Sequence, residues 1–126
     1  MNLEPIHGFD AYHAHVYFGA STSGAAQKLC ERAGKTFDLT VGRHHEKPVG
    51  PHPEWSCQLA FQVEIRDALI QWLDDKRRGL TVFIHGLSGN DLDDHTKHVI
   101  WLGAPVALNL KVFENTENKG NKGNRS

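Results

Sequence analysis

Long apolar runs are missing from this chain, and with them any stretch of the ~20 residues that a membrane-crossing helix needs. Cysteine is scarce: Cys30 and Cys57 are the only two and have no metal-motif spacing, so buried thiols are expected rather than a disulfide framework. A basic stripe is also lacking. With a net charge of -1 and a pI near 6.7, an electrostatic nucleic-acid surface is excluded as the expected role. The opening MNLEPIHGFDAYH carries neither a basic leader nor an apolar core, so a cytoplasmic setting is expected. What is present is the composition of one soluble domain, 39% apolar and 23% charged with a mean hydropathy of -0.48. Histidine breaks the ordinary pattern. Nine are spread from His7 to His98, too dispersed to be a tag, and they direct the search for chemistry.

They are densest in YHAHVYF, residues 12–18. Strand alternation sends His13, His15 and Tyr17 to one face and Tyr12, Ala14, Val16 and Phe18 to the other. One face can build a core, while the other carries two imidazoles and a phenol suited to metal ligation or proton transfer near neutral pH. The bland alternative is a solvated sheet face. Next, Ala26, Leu29, Cys30 and Ala33 recur at i, i+3, i+4 and i+7, predicting a helix capped by Ser21, Thr22 or Ser23 and stopped by Gly34. Phe37, Leu39 and Val41 alternate as a second strand that ends at Gly42. GRHHEKPVGPHPEW, residues 42–55, has three prolines and two glycines and reads as a long, stiffened loop. Cys57, Leu59, Phe61 and Val63 alternate as a third strand.

Ile65, Ala68, Leu69, Trp72 and Leu73 then form the stripe of a second helix, closed by Gly79 after the solvated basic end Lys76, Arg77 and Arg78. Residues 80–85 read as a fourth strand, with Val82 and Ile84 opposite Phe83 and His85. Asp93 or Asp94 is expected to cap a short helix running through His95, His98, Val99 and Leu102 to Gly103. Residues 106–113 read as a fifth, edge strand. The expected domain is 1–113, followed by a disordered polar tail at 114–126 that has no apolar residue.

This order of elements predicts an α+β fold, a ferredoxin-like split βαβ sandwich with an added C-terminal helix and edge strand. In that topology the first strand is central, antiparallel to the third and fourth. The helices cover Ala14, Val16, Cys57, Leu59, Val82 and Ile84, and an open face shows His13, His15, Tyr17, Gln58, Phe83 and His85. Antiparallel pairing brings His85 beside His13 and His15. His52, between Pro51 and Pro53, joins them only if its loop folds back over the face; His45 and His95 can close the rim. His44 and His98 read as surface residues. Three histidines converging with open positions suit a divalent metal that activates a small molecule.

Taken together, YHAHVYF (12–18), GRHHEKPVGPHPEWSCQLAF (42–61) and IHGLSGNDLDDHTKHVIWLG (84–103) resemble the three blocks of the DOPA 4,5-dioxygenase family, over most of residues 11–112. The resemblance implies a small homodimeric protein that cleaves a ring in extradiol fashion, using non-haem Fe(II) and O2 on an aromatic diol such as DOPA. Membrane and nucleic acid have no part in it. The family's histidine positions correspond to His13, His15, His45, His52, His85 and His95. Gly86 departs from the pattern, since relatives often carry proline there. His15, His52 and His85, from three separate segments, are the expected ligands, with His13 as the substitute. His13, His45 and His95 are expected to move protons, Tyr17 to hydrogen-bond substrate or oxygen, and Arg43 or Lys47 to hold a substrate carboxylate. Zinc or another divalent metal is the alternative ion. The alternative functions are a divalent-metal hydrolase and a non-enzymatic ferredoxin-like binding module.

Overall fold

Two helical stripes and a set of alternating strands account for most of the architecture in a computed structural model that describes residues 2–114. In chain order these are β1 (Ala11–Phe18), α1 (Ser23–Thr36), β2 (Thr40–His45), β3 (Trp55–Gln62), α2 (Arg66–Lys76), β4 (Val82–Gly86), α3 (Asp91–Thr96) and β5 (Val99–Leu102). The strands form one antiparallel sheet in the order β2-β3-β1-β4-β5. β1 is therefore central, paired with β3 and β4 as the sequence led us to expect. No helix among the described residues is long and apolar enough to cross a membrane.

The core lies between one sheet face and the two longer helices. Ala14, Val16, Leu59, Val82 and Ile84 are fully buried there against Leu29 and Ala33 of α1 and Leu69, Ile70 and Leu73 of α2. Compared with the expected stripe, α2 is rotated, so that Ile70 is buried and Ala68 exposed. Cys30 and Cys57 are buried free thiols, as expected. Tyr12 is on the core face with its hydroxyl satisfied twice: it donates to the Ile6 carbonyl at 2.7 Å and accepts from Arg66 Nη1 at 3.0 Å. A buried phenol needs such partners.

Several boundaries differ from the sequence reading, each for an identifiable reason. α1 runs through Gly34 to Thr36, and Phe37 leaves it in extended conformation to set its ring 5.8 Å from that of Trp72. β2 consequently starts at Thr40 rather than near Phe37, and it passes through Gly42 into the supposed loop as far as His45. The cap of α3 is Asn90, whose side chain accepts from the Asp93 amide at 2.9 Å, and the helix stops at Thr96. Val99–Leu102 is strand instead of helix. It lies along the free edge of β4, with Ile100 and Leu102 buried and paired to Ile84 and Val82. Four apolar residues are too few for periodicity to separate the two states. Last, 106–113 forms no strand but an irregular segment that ends in a helical turn at 111–114. The tail expected to be disordered lies, from 115 on, outside the described residues.

Gly34 permits the close approach of α1 to β2, since a Cβ there would sit 2.7 Å from Val41 Cγ2. An exposed mid-helix Gly→Ala change ordinarily stabilises by about 1 kcal/mol. Gly34→Ala is expected to forfeit that gain and to recover it in a Val41→Ala background, a difference that paired urea-unfolding curves will measure.

Candidate metal centre

The register of the central strands assembles the first part of the site. His13 lies directly opposite His85, and His15 lies between Gln58 and Phe83. Because cross-strand partners share a face, His13, His15, Tyr17, Phe83 and His85 project together from the side of the sheet away from the helices. Tyr17 is opposite Ser56, which is opposite His45, so His45 belongs to this face too, at its rim.

That face is roofed rather than open, which corrects the sequence expectation. Phe83 and His85 are at most 1% exposed, Tyr17 3%, His15 5% and His52 7%. The proline-framed loop folds back through a bridge between Val49 and His52, placing the His52 ring 4.0 Å from that of His15. α3 lays His95 over β4, with its ring 4.3 Å from His85 and 5.8 Å from Phe83. Trp101 packs on Phe83 at 4.6 Å and Phe113 on His95 at 4.8 Å. The six histidines singled out in the sequence thus occupy one face and its roof. His44 and His98 are half-buried rather than surface residues, stacked on Phe18 at 4.3 Å and tilted against Phe9 at 4.7 Å. Arg43 and Lys47 are exposed.

The ring nitrogens show what the cluster can hold. His85 Nδ1 lies 3.0 Å from the Gly86 carbonyl and His95 Nδ1 2.7 Å from the Asp91 carbonyl. A carbonyl oxygen only accepts, so both Nδ1 atoms carry the proton and, in the neutral ring, both Nε2 atoms present lone pairs. Backbone carbonyls commonly set the tautomer of metal-binding histidines in this way. His15 Nε2 and His85 Nε2 are 3.1 Å apart. Two nitrogens each about 2.1 Å from one ion stand roughly 3.0–3.4 Å apart for angles between octahedral and tetrahedral, so this pair fits a shared divalent ion. Among the described residues, two groups of three have ligand atoms mutually within 4.8 Å: His13, His15 and His85, and His15, His52 and His95. The trio expected from sequence, His15, His52 and His85, takes members from both, and His15 is common to all three sets.

Burial disfavours the charged form of four of these rings, those of His13, His15, His52 and His85. It holds His85 down to about 3, with the nearby His95 adding to the shift and the Gly86 hydrogen bond opposing it. Burial, then the proximity of His95, His13 and His45, holds His52 at about 4. His15 lies well below the usual imidazole range, first through burial and then through His52, His85, His13 and His95. His13 is lowered by burial and by His95, against the opposing charge of Asp94. The Tyr17 phenol, 2.7 Å from His52 Nδ1, is pushed up by burial and by Glu54.

Some residues around the site have roles that the sequence did not disclose. Asp94 is 2% exposed and accepts from the Ser88 amide and hydroxyl, at 3.0 and 2.6 Å, fixing the turn that carries α3. Its sequence signal is faint, one aspartate among several. Gly86 is required for space: a Cβ there would fall on the Phe9 ring, and its amide donates to the His98 carbonyl at 3.0 Å. Asn90 could have been found, since Asn followed three residues on by Asp fits a helix start.

The depressed pKa values set an acid limit for the metal-free protein. Between the ordinary 6.5 and about 4, the unfolded chain takes up protons at His52 and His85 that the folded chain refuses. Stability is therefore complete above about pH 6.5 and falls as the pH drops towards the folded values. Urea midpoints of the metal-free protein are expected to decrease steadily from about pH 7 to pH 4.5; a flat profile would contradict the neutral cluster.

Comparison with known proteins gives concordant results. Residues 12–112 match the model of the Dopa 4,5-dioxygenase family. An uncharacterized 21.2 kDa protein of Botryotinia fuckeliana is 31% identical over 115 residues, covering 84% of this chain and 63% of that one. The DOPA 4,5-dioxygenase of Amanita muscaria is 26% identical over 108 residues, or 79% of this chain and 47% of that one. The chain thus spans less than two thirds of the length of either curated relative. A candidate dioxygenase from Nostoc punctiforme PCC 73102, known from a crystal structure, superposes with a TM-score of 0.83 at 34% identity, covering 92% of this chain and 98% of that one.

Proposed function

The chain belongs to the Dopa 4,5-dioxygenase family, and from that premise we propose that it is an extradiol dioxygenase that opens the ring of a catechol such as DOPA with O2 at a histidine-bound ferrous ion. The observation that carries this reading is the packed set of neutral imidazoles, with His15 and His85 nitrogens 3.1 Å apart, beneath aromatic walls. Strand order β2-β3-β1-β4 with α1 and α2 on one face supports a ferredoxin-like scaffold, to which α3 and β5 are added. The homodimer and the cytoplasmic setting remain part of the reading.

His13, His15 and His85 are the proposed ligands, because they stand on paired strands that hold them in fixed register. A ferrous ion held there would supply Lewis acidity towards the catechol oxygens and redox chemistry towards O2. This assignment frees His52 for proton work with Tyr17, across the 2.7 Å contact between Nδ1 and the hydroxyl. His95, at the half-buried rim with a bare Nε2, is placed to accept a catechol hydroxyl proton, and His45 lies farther out on the same face. Phe83 and Trp101 form an apolar wall that excludes water.

Anaerobic loading with Fe(II), followed by DOPA or a simpler catechol and O2, is expected to yield a yellow ring-opened product with matching oxygen uptake. No turnover of any catechol would sink the proposal. His15→Ala should lose stoichiometric metal, as read by elemental analysis. Tyr17→Phe should retain the metal while kcat falls by about 10²-fold.

A further inference from the structure

His15, His52 and His85 are only 5%, 7% and 1% exposed while His13 and His95 are half-buried at the rim, so the inner ring nitrogens lie behind the covering elements. The covering elements are not held equally. α3 is anchored by its Asn90 cap and by Asp94, which accepts from both the amide and the hydroxyl of Ser88. The segment after Gly103 joins no strand ladder. It is tied near its start by the Thr81 hydroxyl on the Ala104 carbonyl, at 3.1 Å, and farther on by the Asn109 amide on the Pro51 carbonyl, at 2.8 Å. The second tie clasps it to the very loop that presents His52. Beyond it, a turn closed by the Phe113 amide on the Leu110 carbonyl sets the Phe113 ring, 8% exposed, 4.8 Å from His95 at an interplanar angle of 37°.

We propose that Phe113 occupies the ring subsite of the histidine centre, and that residues 104–114 form a cap which an aromatic diol displaces on entry. The inference rests on the catechol reading above and adds to it a resident competitor for the substrate ring. A six-carbon aromatic ring already packs on His95, whose own imidazole lies against His85 and Phe83, so the cluster accepts such a ring without rearranging the sheet. Exchange of one ring for the other leaves the apolar area buried at the centre nearly constant; what the substrate must overcome is exposure of Phe113 to water. Catechol affinity is therefore reduced by the fraction of time the cap is closed.

Zinc has no redox chemistry to consume a catechol, so zinc-loaded protein provides the test, with 4-nitrocatechol as a coloured probe. Phe113→Ala removes the competitor, and Asn109→Pro removes the clasping amide while leaving Phe113 in place. Both variants are expected to bind the probe roughly ten-fold more tightly than the wild type. Both should also lose zinc to a chelator several-fold faster, a readout that needs no catechol. Equal or weaker probe binding by the variants would overturn the ring subsite alone. Failure of all three zinc-loaded proteins to bind the probe would overturn the catechol reading, and the subsite with it. Equal zinc-release rates would overturn the cap.

Discussion

Imidazoles that share a buried space repel one another's protons, and this constraint organises the protein's chemistry. His13, His15, His52, His85 and His95 lie within ring-contact distances in a region from which water is largely withdrawn. Burial disfavours the protonated forms of His13, His15, His52 and His85, leaving neutral rings a few ångströms apart. Two backbone carbonyls fix the tautomer by holding the remaining protons of His85 and His95 on the outer nitrogens. Such an arrangement is poor for folding on its own and well suited to a cation. The sheet bears this cost because the opposite face buries a continuous apolar core against α1 and α2.

The site divides into a stiff floor and a looser roof. Floor residues stand on β1 and β4, whose ladder fixes where each side chain emerges. Roof residues come from a proline-framed loop, a six-residue helix and an irregular C-terminal segment. Ligation favours a rigid donor set, whereas passage of substrate requires something that can move, and the fold assigns these demands to different parts of the chain.

Much of the floor was legible in the sequence because strand periodicity is an exact alternation: once β1 and β4 were identified and paired, His13, His15 and His85 had to meet. The roof was not legible. Nothing in PVGPHP states that Val49 and His52 bridge, and the proximity of His52 to His15 depends on that fold-back. Helix and strand were confused at 98–102, where four apolar residues satisfy both periods and the decision is made by the vacant edge of β4. Phe37 alternated correctly with Leu39 and Val41 but serves the end of α1, since a partner on another helix, Trp72, outweighs local pattern. The burial of the histidine face followed from none of these local signals; it arises from elements far away in the chain.

One irregularity in β2 decides which of two neighbouring histidines belongs to the centre. The pairing with β3 is regular at Thr40 and Val41 and then shifts before His44, leaving one residue more on β2 than on its partner. As a result His44 falls opposite Cys57 and stacks on Phe18 over the core, while His45 falls opposite Ser56 and looks towards Tyr17. Were the same sequence paired without the bulge, the parity would reverse, with His44 opposite Ser56 at the rim and His45 moved out of it. The HH pair is in this sense placed by backbone count: the two residues Gly42 and Arg43 that stand opposite Gln58 alone set which histidine faces the core and which faces the rim.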